Sequence, residues 1–280
     1  MYWQTSRRKL DLSRPLVMAI INATPDSFSD GGKFFSVDSA LEHTEKVIRE
    51  GADMIDIGGE STRPGSTPVT VEEEIRRVVP LIDAISRRFN VPVSIDTTKA
   101  KVALAAVEAG AEIINDISGL RFDSAVAEVA AKHRSGLVLM HSLGMFETMH
   151  RQEPTENILD DVSRDFVRAA QTAISAGVRQ DSIVLDIGIG FGKSHEQNLE
   201  LIAKLDKIVE GFPEHPIMVG ASRKSFIGNV LGGSPVGERT IGSIASVAVA
   251  VWNGASIVRV HDVKETVEAV RIVEAIRRES

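Results

Sequence analysis

Short, continuously apolar segments recur along this chain, and each of them runs into polar residues. The eight segments cover 16–23, 54–59, 93–97, 113–118, 137–142, 183–188, 217–222 and 257–262. Segments of this length, rich in Val, Ile and Leu and without alternation of apolar and polar positions, are typical of parallel strands buried on both faces. The pattern therefore predicts eight parallel strands.

Longer stretches with the apolar spacing of amphipathic helices lie between and after these segments. They cover 37–51, 70–89, 98–110, 123–133, 159–177, 196–211, 240–254 and 264–280. Strands and helices alternating in this number predict an α/β fold with a single (β/α)8 barrel, the TIM barrel. The barrel would form one domain over residues 1–280, with 1–15 as an N-terminal lead-in. A doubly wound open sheet is the alternative fold.

The composition is that of an ordinary soluble globular protein, with 280 residues, 43% hydrophobic and 25% charged. No cysteine is present, which excludes disulfides, a thiolate zinc site and a cysteine nucleophile. The net charge of -7 argues against a nucleic-acid partner, and no apolar run reaches membrane-spanning length. The start SRRKL (6–10) is similar to an export signal, but Asp11 and Arg14 interrupt the segment after it. We therefore expect a cytoplasmic protein.

Polar residues end or follow every predicted strand, which is where the catalytic groups of such a barrel lie. In chain order they are Asn22, Asp56, Asp96, Asn115, Asp116, His141, Asp186, Ser222, Arg223, Lys224, Arg259, His261 and Asp262. One polar residue at a strand end can simply cap the next helix or close a turn. Buried polar groups at all eight ends cost free energy unless they find partners, and a ligand would supply those partners.

The chemistry of these side chains favours two kinds of ligand group. One set combines donors and acceptors in a way that suits the edge of a flat, nitrogen-rich heterocycle. It consists of Asp96, Asn115, Asp186 and Lys224. Arg63, Arg259 and His261 form a cationic group suited to phosphate oxygens. Asn22 offers one amide oxygen to a Mg²⁺ ion that would share its other ligands with water and phosphate.

The glycine-rich stretch DIGIGFGKS (186–194) has the look of a phosphate loop, but its spacing is wrong. A Walker A loop needs glycine at the position of Ile187, and a dinucleotide fingerprint starting at Gly188 needs glycine at the position of Lys193. Both nucleotide interpretations therefore fail. Phe191, between two glycines, is either a core residue or a ring exposed for stacking, and Lys193 is left with a structural role.

Eight motifs occur in order along the chain, each at the end of a predicted strand. They are NATPDSFSDGG (22–32), GGESTRPG (58–65), SIDTTK (94–99), INDISG (114–119), LMH (139–141), DIGIGFGK (186–193), GASRKSFIG (220–228) and RVHDVKET (259–266). In this respect the chain from Leu12 onward resembles the dihydropteroate synthase family, which has the (β/α)8 fold and includes sulfonamide targets. The resemblance implies a Mg²⁺-dependent transferase that joins 4-aminobenzoate to 6-hydroxymethyl-7,8-dihydropterin diphosphate in folate synthesis. It also implies a homodimer that forms through the last helices.

The resemblance further implies roles for individual residues. The pterin would be held by Asp96, Asn115, Asp186 and Lys224. The diphosphate would be held by Thr62, Arg63, Arg259 and His261, with Asn22 helping to bind Mg²⁺. The aminobenzoate pocket would be shaped by Pro64, Phe191, Lys224 and Ser225. Phe28 and Asp30 would close over the site, while Met140 and Gly220 lie in the matching motifs and complete the substrate-binding set. The catalytic residues would be Asp30, Arg63, Lys224, Arg259 and His261.

Two departures from the family pattern stand out. Ile187 replaces the proline that usually follows the strand-six aspartate, and the loop after His141 differs from the common polar version. Two alternatives to a synthase remain, namely the pterin-binding domain of a corrinoid-dependent methyltransferase and a non-catalytic pterin-binding paralogue. Both are disfavoured because the SRK (222–224) and RVH (259–261) segments expected to bind diphosphate are present.

Overall fold

The computed structural model describes residues 1–24, 37–61, 66–144 and 154–279, and it begins with an antiparallel hairpin of β1 (Tyr2–Gln4) and β2 (Lys9–Asp11). Eight parallel strands follow and close into a barrel. They are β3 (Leu16–Asn22), β4 (Met54–Gly58), β5 (Val93–Asp96), β6 (Ile113–Asp116), β7 (Gly136–Met140), β8 (Ile183–Asp186), β9 (Ile217–Val219) and β10 (Ile257–Val260). Because β10 pairs with both β9 and β3, the (β/α)8 prediction is confirmed and the open sheet is wrong.

Helices follow the strands on the outside of the barrel. They are α1 (Val37–Arg49), α2 (Val71–Arg88), α3 (Ala100–Ala109), α4 (Ala125–His133), α5 (Ile158–Ser175), α6 (His195–Ala203), α7 (Leu205–Gly211), α8 (Ser225–Val230), α9 (Thr240–Trp252) and α10 (Val263–Arg277). The prediction of one helix over 196–211 is wrong, because Lys204 leaves the helical conformation and separates α6 from α7. Within the described ranges, no helix combines the length and the apolarity needed to cross a bilayer.

Most strands end one or two residues before the predicted boundary. The end of β8 shows the reason, because Gly188 has a φ of 63° and the chain turns there out of the extended conformation. The last strand residues include Asn22, Asp96 and Asp186. These three polar residues therefore finish their strands, as the sequence predicted.

The hairpin of β1 and β2 closes the amino-terminal end of the barrel, a function that the sequence did not reveal. Trp3 is fully buried and packs with the side chains that fill the barrel near this end. They are Leu16, Met18, Met54, Ile113, Val138, Val184, Met218 and Ile257. The indole Nε1 of Trp3 donates to the carbonyl of Ser182 at 2.9 Å, so its one polar atom is satisfied in the core. The polar side chains lie at the opposite, carboxyl-terminal end of the barrel strands.

Candidate active site

A network of charged and amide side chains crosses the barrel interior near its carboxyl end. Arg259 on β10 donates from Nε to Asp56 Oδ2 at 2.6 Å and from Nη2 to Asp96 Oδ2 at 2.7 Å. Asn115 on β6 donates from Nδ2 to the same oxygen of Asp56 at 3.1 Å. Since β10, β4 and β6 are not neighbours in the sheet, these bonds span the inside of the barrel. The structure thus brings Asp96, Asn115 and Arg259 together.

Asp56 is the member of this network to which sequence reasoning gave no binding role. It lies in the middle of β4 and is fully buried. A carboxylate inside an otherwise apolar strand was the available signal, because burying such a charge requires a cation and hydrogen bonds. Asp56 Oδ1 and Asn115 Oδ1 are also buried, and neither has a hydrogen-bond partner among the described residues. The network therefore offers two unused acceptors.

The charges of the network shift the pKa values of its members. Burial raises the pKa of Asp96 to about 7, with Arg259 opposing the shift and Asp56 adding to it. Burial likewise raises the pKa of Asp186, while it lowers the pKa of Lys224 to about 8. Burial also works against the charge of Arg259, but the carboxylates of Asp56 and Asp96 outweigh it and raise its pKa. The site thus combines carboxylates with cationic side chains, and the opposite charges partly offset one another.

Lys224 and Phe191 form one side of the site. The Nζ atom of Lys224 lies 4.1 Å from the centroid of the Phe191 ring, a cation–π contact. Phe191 is only 8% exposed and packs with Ile117 and Met140, and Phe122 lies against the same small cluster. The structure therefore favours the core interpretation of Phe191, and the predicted site residues Met140, Phe191 and Lys224 are neighbours.

The glycine-rich turn after β8 is shaped by close backbone approaches. Asp186 Oδ1 accepts from the Gly188 backbone N–H at 2.8 Å. A Cβ atom on Gly188 would lie 1.8 Å from the carbonyl oxygen of His141, and one on Gly190 would lie 3.0 Å from Lys224 Cδ. Gly188 accepts only glycine, because the added atom would collide with the backbone just after β7, and the φ of 85° at Gly190 disfavours a side chain there.

The side chain of Lys193 stabilises this turn by hydrogen bonds to backbone carbonyl groups. Its Nζ donates to the carbonyl oxygens of Gly188 at 2.7 Å, His141 at 3.1 Å and Phe191 at 3.3 Å. No carboxylate within the described ranges forms an ion pair with it, and burial lowers the pKa of Lys193 to about 7. The predicted structural role of Lys193 is confirmed, because its ammonium joins the turn to the end of β7.

His261 and Ser222 form a second pair at the carboxyl ends of β10 and β9. The hydroxyl of Ser222 lies 3.1 Å from His261 Nδ1 and accepts from the backbone N–H of His261 at 3.2 Å. Burial and the nearby Arg259 lower the pKa of His261 to about 3. This shift favours the neutral ring over the cation expected from the sequence, and the binding of diphosphate by His261 stays a prediction.

The remaining predicted residues in the described ranges lie around this centre. Asn22 ends β3, is partly exposed, and its side chain has no hydrogen-bond partner among the described residues. Gly220 follows β9, where an added Cβ would lie 3.9 Å from Arg259 Cβ, and the exposed Ser225 begins α8. Five predicted residues fall outside the described ranges. They are Phe28, Asp30, Thr62, Arg63 and Pro64.

A partly buried ion cluster lies beside the site, at the base of the loop that follows β4. Lys99 Nζ lies 2.6 Å from Glu74 Oε2 and 3.1 Å from Glu60 Oε2, and it donates to the carbonyl of Val69 at 2.9 Å. Glu60 also accepts from the backbone N–H of Val69 at 2.6 Å. Sequence reasoning missed this cluster, since only the fold brings α2 and the start of α3 against the loop.

Known proteins share this sequence and fold over nearly their whole length. A family model described as pterin binding enzyme matches residues 18–261. A dihydropteroate synthase from Clostridium beijerinckii is 48% identical over 266 residues, which are 95% of each chain. A crystal structure of the Yersinia pestis dihydropteroate synthase with a sulfonamide drug superposes with a TM-score of 0.93, at 44% identity and over 100% of both chains. The chain belongs to the dihydropteroate synthase family.

Another family member has been solved with a reaction product. The dihydropteroate synthase of Burkholderia cenocepacia, in complex with 7,8-dihydropteroate, has a TM-score of 0.88 and 43% identity, covering 99% of this chain and 97% of its own. Membership in the family confirms the resemblance drawn from the eight motifs. It favours the synthase over the methyltransferase domain and the non-catalytic paralogue. Ile187, the departure from the family pattern, is fully buried and contributes to the main core.

Proposed function

We propose that this protein is a dihydropteroate synthase that joins 4-aminobenzoate to 6-hydroxymethyl-7,8-dihydropterin diphosphate with release of diphosphate. The observation that carries the proposal is the pair of unused buried acceptors, Asp56 Oδ1 and Asn115 Oδ1, beside the carboxylate of Asp96. Buried acceptors without partners are costly, and a ligand rich in N–H groups removes that cost. A pterin ring carries such groups along one edge.

The pterin would lie among the polar side chains at the carboxyl end of the barrel. Asp96, Asn115 and Asp186 would accept hydrogen bonds from its ring N–H and amino groups, and Lys224 would donate to a ring acceptor. Because Asp96 has a pKa near 7, a donor-rich ligand would favour its ionised form. The ionised carboxylates would also stabilise positive charge that develops on the pterin during the reaction.

The diphosphate would be bound at the outer end of β10. Arg259 has donors left after its bonds to Asp56 and Asp96, and the neutral His261 can donate from one ring nitrogen. Asn22, with a side chain that no described residue engages, would help to hold a Mg²⁺ ion whose other ligands are water and diphosphate oxygens. Bound there, Mg²⁺ would offset the negative charge of the leaving group.

The reaction exchanges one bond at the methylene carbon of the pterin. The carbon–oxygen bond to diphosphate breaks, and the electron pair leaves with the diphosphate. The arylamine nitrogen of 4-aminobenzoate forms the new carbon–nitrogen bond and loses one proton to solvent or to the released diphosphate. The amine is already nucleophilic, so the residues of this site need only orient it, hold the pterin and stabilise the leaving group.

The second substrate would bind beside Lys224. Its ammonium group suits the carboxylate of 4-aminobenzoate, and the Phe191 ring next to it offers an apolar wall. Ser225, at the start of α8, lies one residue further along the chain. The roles of Phe28, Asp30, Thr62, Arg63 and Pro64 stay predictions, as they lie outside the described ranges.

Diphosphate release measures this function directly. Purified protein with Mg²⁺ should release diphosphate only when the pterin diphosphate and 4-aminobenzoate are both present. Asp186→Asn should lower the rate strongly by removing a pterin acceptor, whereas Asp206→Asn, an exposed change on α7, should leave it unaltered. Release that is independent of 4-aminobenzoate, or no release above the blank, would refute the synthase.

A homodimer through the last helices is the second part of the proposal. Helices α9 and α10 pack together, and both carry large apolar side chains that are open to solvent. They are Ile241, Val249, Trp252, Ile272 and Ile276, with Ile241 85% exposed and Ile272 62% exposed. Exposed apolar side chains in this density are typical of a protein interface.

The cytoplasmic location of the protein also stays a prediction.

Sedimentation velocity tests the homodimer. The wild-type protein should sediment as a dimer, and Ile272→Glu should shift it toward the monomer because a buried carboxylate would lack a partner. Val167→Glu serves as the matched control, since Val167 is 55% exposed on α5, away from the last two helices. A monomeric wild type, or a dimer that both variants leave intact, would refute this interface.

A further inference from the structure

Among the described residues, the hydroxyl of Ser222 makes two hydrogen-bond contacts, and both are with His261. Its Oγ accepts from the His261 backbone N–H at 3.2 Å and lies 3.1 Å from the ring Nδ1 of the same residue. Ser222 is buried, at 6% exposure. One side chain in the segment after β9 therefore contacts both the backbone and the ring of the residue that follows β10.

These two contacts determine which ring nitrogen of His261 carries the proton. A serine hydroxyl has one hydrogen to donate, and its oxygen can accept two. The backbone N–H uses one acceptor position. If Nδ1 also donated to Oγ, the serine hydrogen would be buried without an acceptor among the described residues, which is costly. The arrangement in which Ser222 donates to Nδ1 satisfies the serine hydroxyl, Nδ1 and the backbone N–H, and it leaves the proton of the neutral ring on Nε2.

We propose that Ser222 is a positioning residue that holds His261 in its Nε2–H form, so that Nε2 donates to an oxyanion of the leaving diphosphate. This inference rests on the proposed function for the identity of the oxyanion. Nε2 has no hydrogen-bond partner among the described residues, so its donor is available. A neutral N–H donor that is already held in the right orientation stabilises the negative charge that develops on the leaving group, without any reorganisation of the ring.

The ring tautomer can be read without substrate from the ¹⁵N shifts of the full-length protein labelled at histidine, with His261→Gln assigning the signal. We expect the Nε2–H form in the wild type and in Ser222→Thr, and a mixture of tautomers in Ser222→Ala. Ser163→Ala is the matched control, because its hydroxyl donates to the Leu159 carbonyl on α5, away from the site. That variant should keep the wild-type spectrum.

Steady-state kinetics supply the second measurement. Ser222→Ala should lower kcat/KM for the pterin diphosphate about tenfold, as expected for a lost positioning hydrogen bond. The KM for 4-aminobenzoate should stay the same, and Ser222→Thr should restore the rate. An Nδ1–H ring in the wild type, an unchanged ring in Ser222→Ala, or a changed ring with unchanged kcat/KM would each overturn the proposal. A wild type without turnover would instead refute the synthase reaction and leave the tautomer result intact.

Discussion

Arg259 and Asp96 form a partly buried ion pair inside the barrel, with Nη2 2.7 Å from Oδ2. Arg259 therefore contacts the predicted pterin side of the site as well as contributing to the predicted diphosphate side. Its guanidinium also bonds to Asp56, so it neutralises two carboxylates at once. Removing Arg259 leaves both carboxylates inside the barrel without a cation. The loss should lower the stability of the folded protein as well as its affinity for the ligand.

We expect Arg259→Ala to lower the free energy of unfolding by about 3 kcal/mol, measured by urea denaturation. The same variant should weaken binding of the pterin diphosphate far more than binding of the free pterin, as measured by titration calorimetry. Arg179→Ala, which removes an exposed pair with Asp181, should cost less than about 1 kcal/mol. Equal weakening of both ligands would show that Arg259 does not bind the diphosphate.

Gly188→Ala tests the close approach between the glycine-rich turn and β7. The added Cβ would lie 1.8 Å from the His141 carbonyl oxygen, at a φ of 63°, so we expect a loss of at least about 2 kcal/mol of stability. Gly211→Ala is the matched change, since an added Cβ there meets nothing within 4 Å and the residue ends α7. It should be neutral or slightly stabilising. Thermal unfolding that does not distinguish the two variants would contradict the turn geometry.

Lys193→Met tests the ammonium that joins the turn to β7. The His141 carbonyl would lose its donor, and the carbonyls of Gly188 and Phe191 would keep only a backbone N–H, so the free energy of unfolding should fall by about 2 kcal/mol. Because the Phe191 carbonyl is one of the three, we also expect the KM for 4-aminobenzoate to rise about tenfold. Lys207→Met, at an exposed position of α7, should alter neither quantity. Loss of stability with an unchanged KM would show that the turn does not position the second substrate.

His141 should make the protein less stable in mild acid. It is buried, and its pKa is lowered to about 2 by burial and by Lys193, Arg121 and Arg168. Below about pH 6.5 the unfolded chain binds a proton at this residue and the folded chain does not, so stability falls by up to about 1.4 kcal/mol per pH unit. The raised pKa of Asp96 acts in the opposite direction, because the folded chain then binds the extra proton. The variant His141→Gln keeps Asp96, so the difference between the two proteins cancels the contribution of Asp96.

Urea denaturation between pH 7.5 and 5 measures this effect in the wild type and in His141→Gln. The variant should lose less stability than the wild type as the pH falls, because only the wild type has the buried imidazole. Curves that stay parallel over the whole range would contradict a neutral, buried His141.

The sequence by itself determined the architecture and the family. The eight apolar segments and the helical stretches between them predict the barrel, because parallel strands buried on both faces need uninterrupted apolar runs. The polar residues at the strand ends predict where the site lies, since all eight ends meet at one face. In the same way, the glycine spacing around Ile187 and Lys193 excluded a nucleotide loop and left Lys193 a structural role.

Only the tertiary structure decided how these side chains pair and which of them carry charge. Asp56 joins the site because Arg259 reaches across the barrel, a contact between residues 203 positions apart in the chain. The fold places His261 beside Arg259, which favours its neutral form. The hairpin of β1 and β2 places Trp3 against the side chains that fill the amino-terminal end of the barrel. A sequence pattern reports which face of a strand is buried, whereas desolvation and ion pairing depend on neighbours that only the closed barrel brings together.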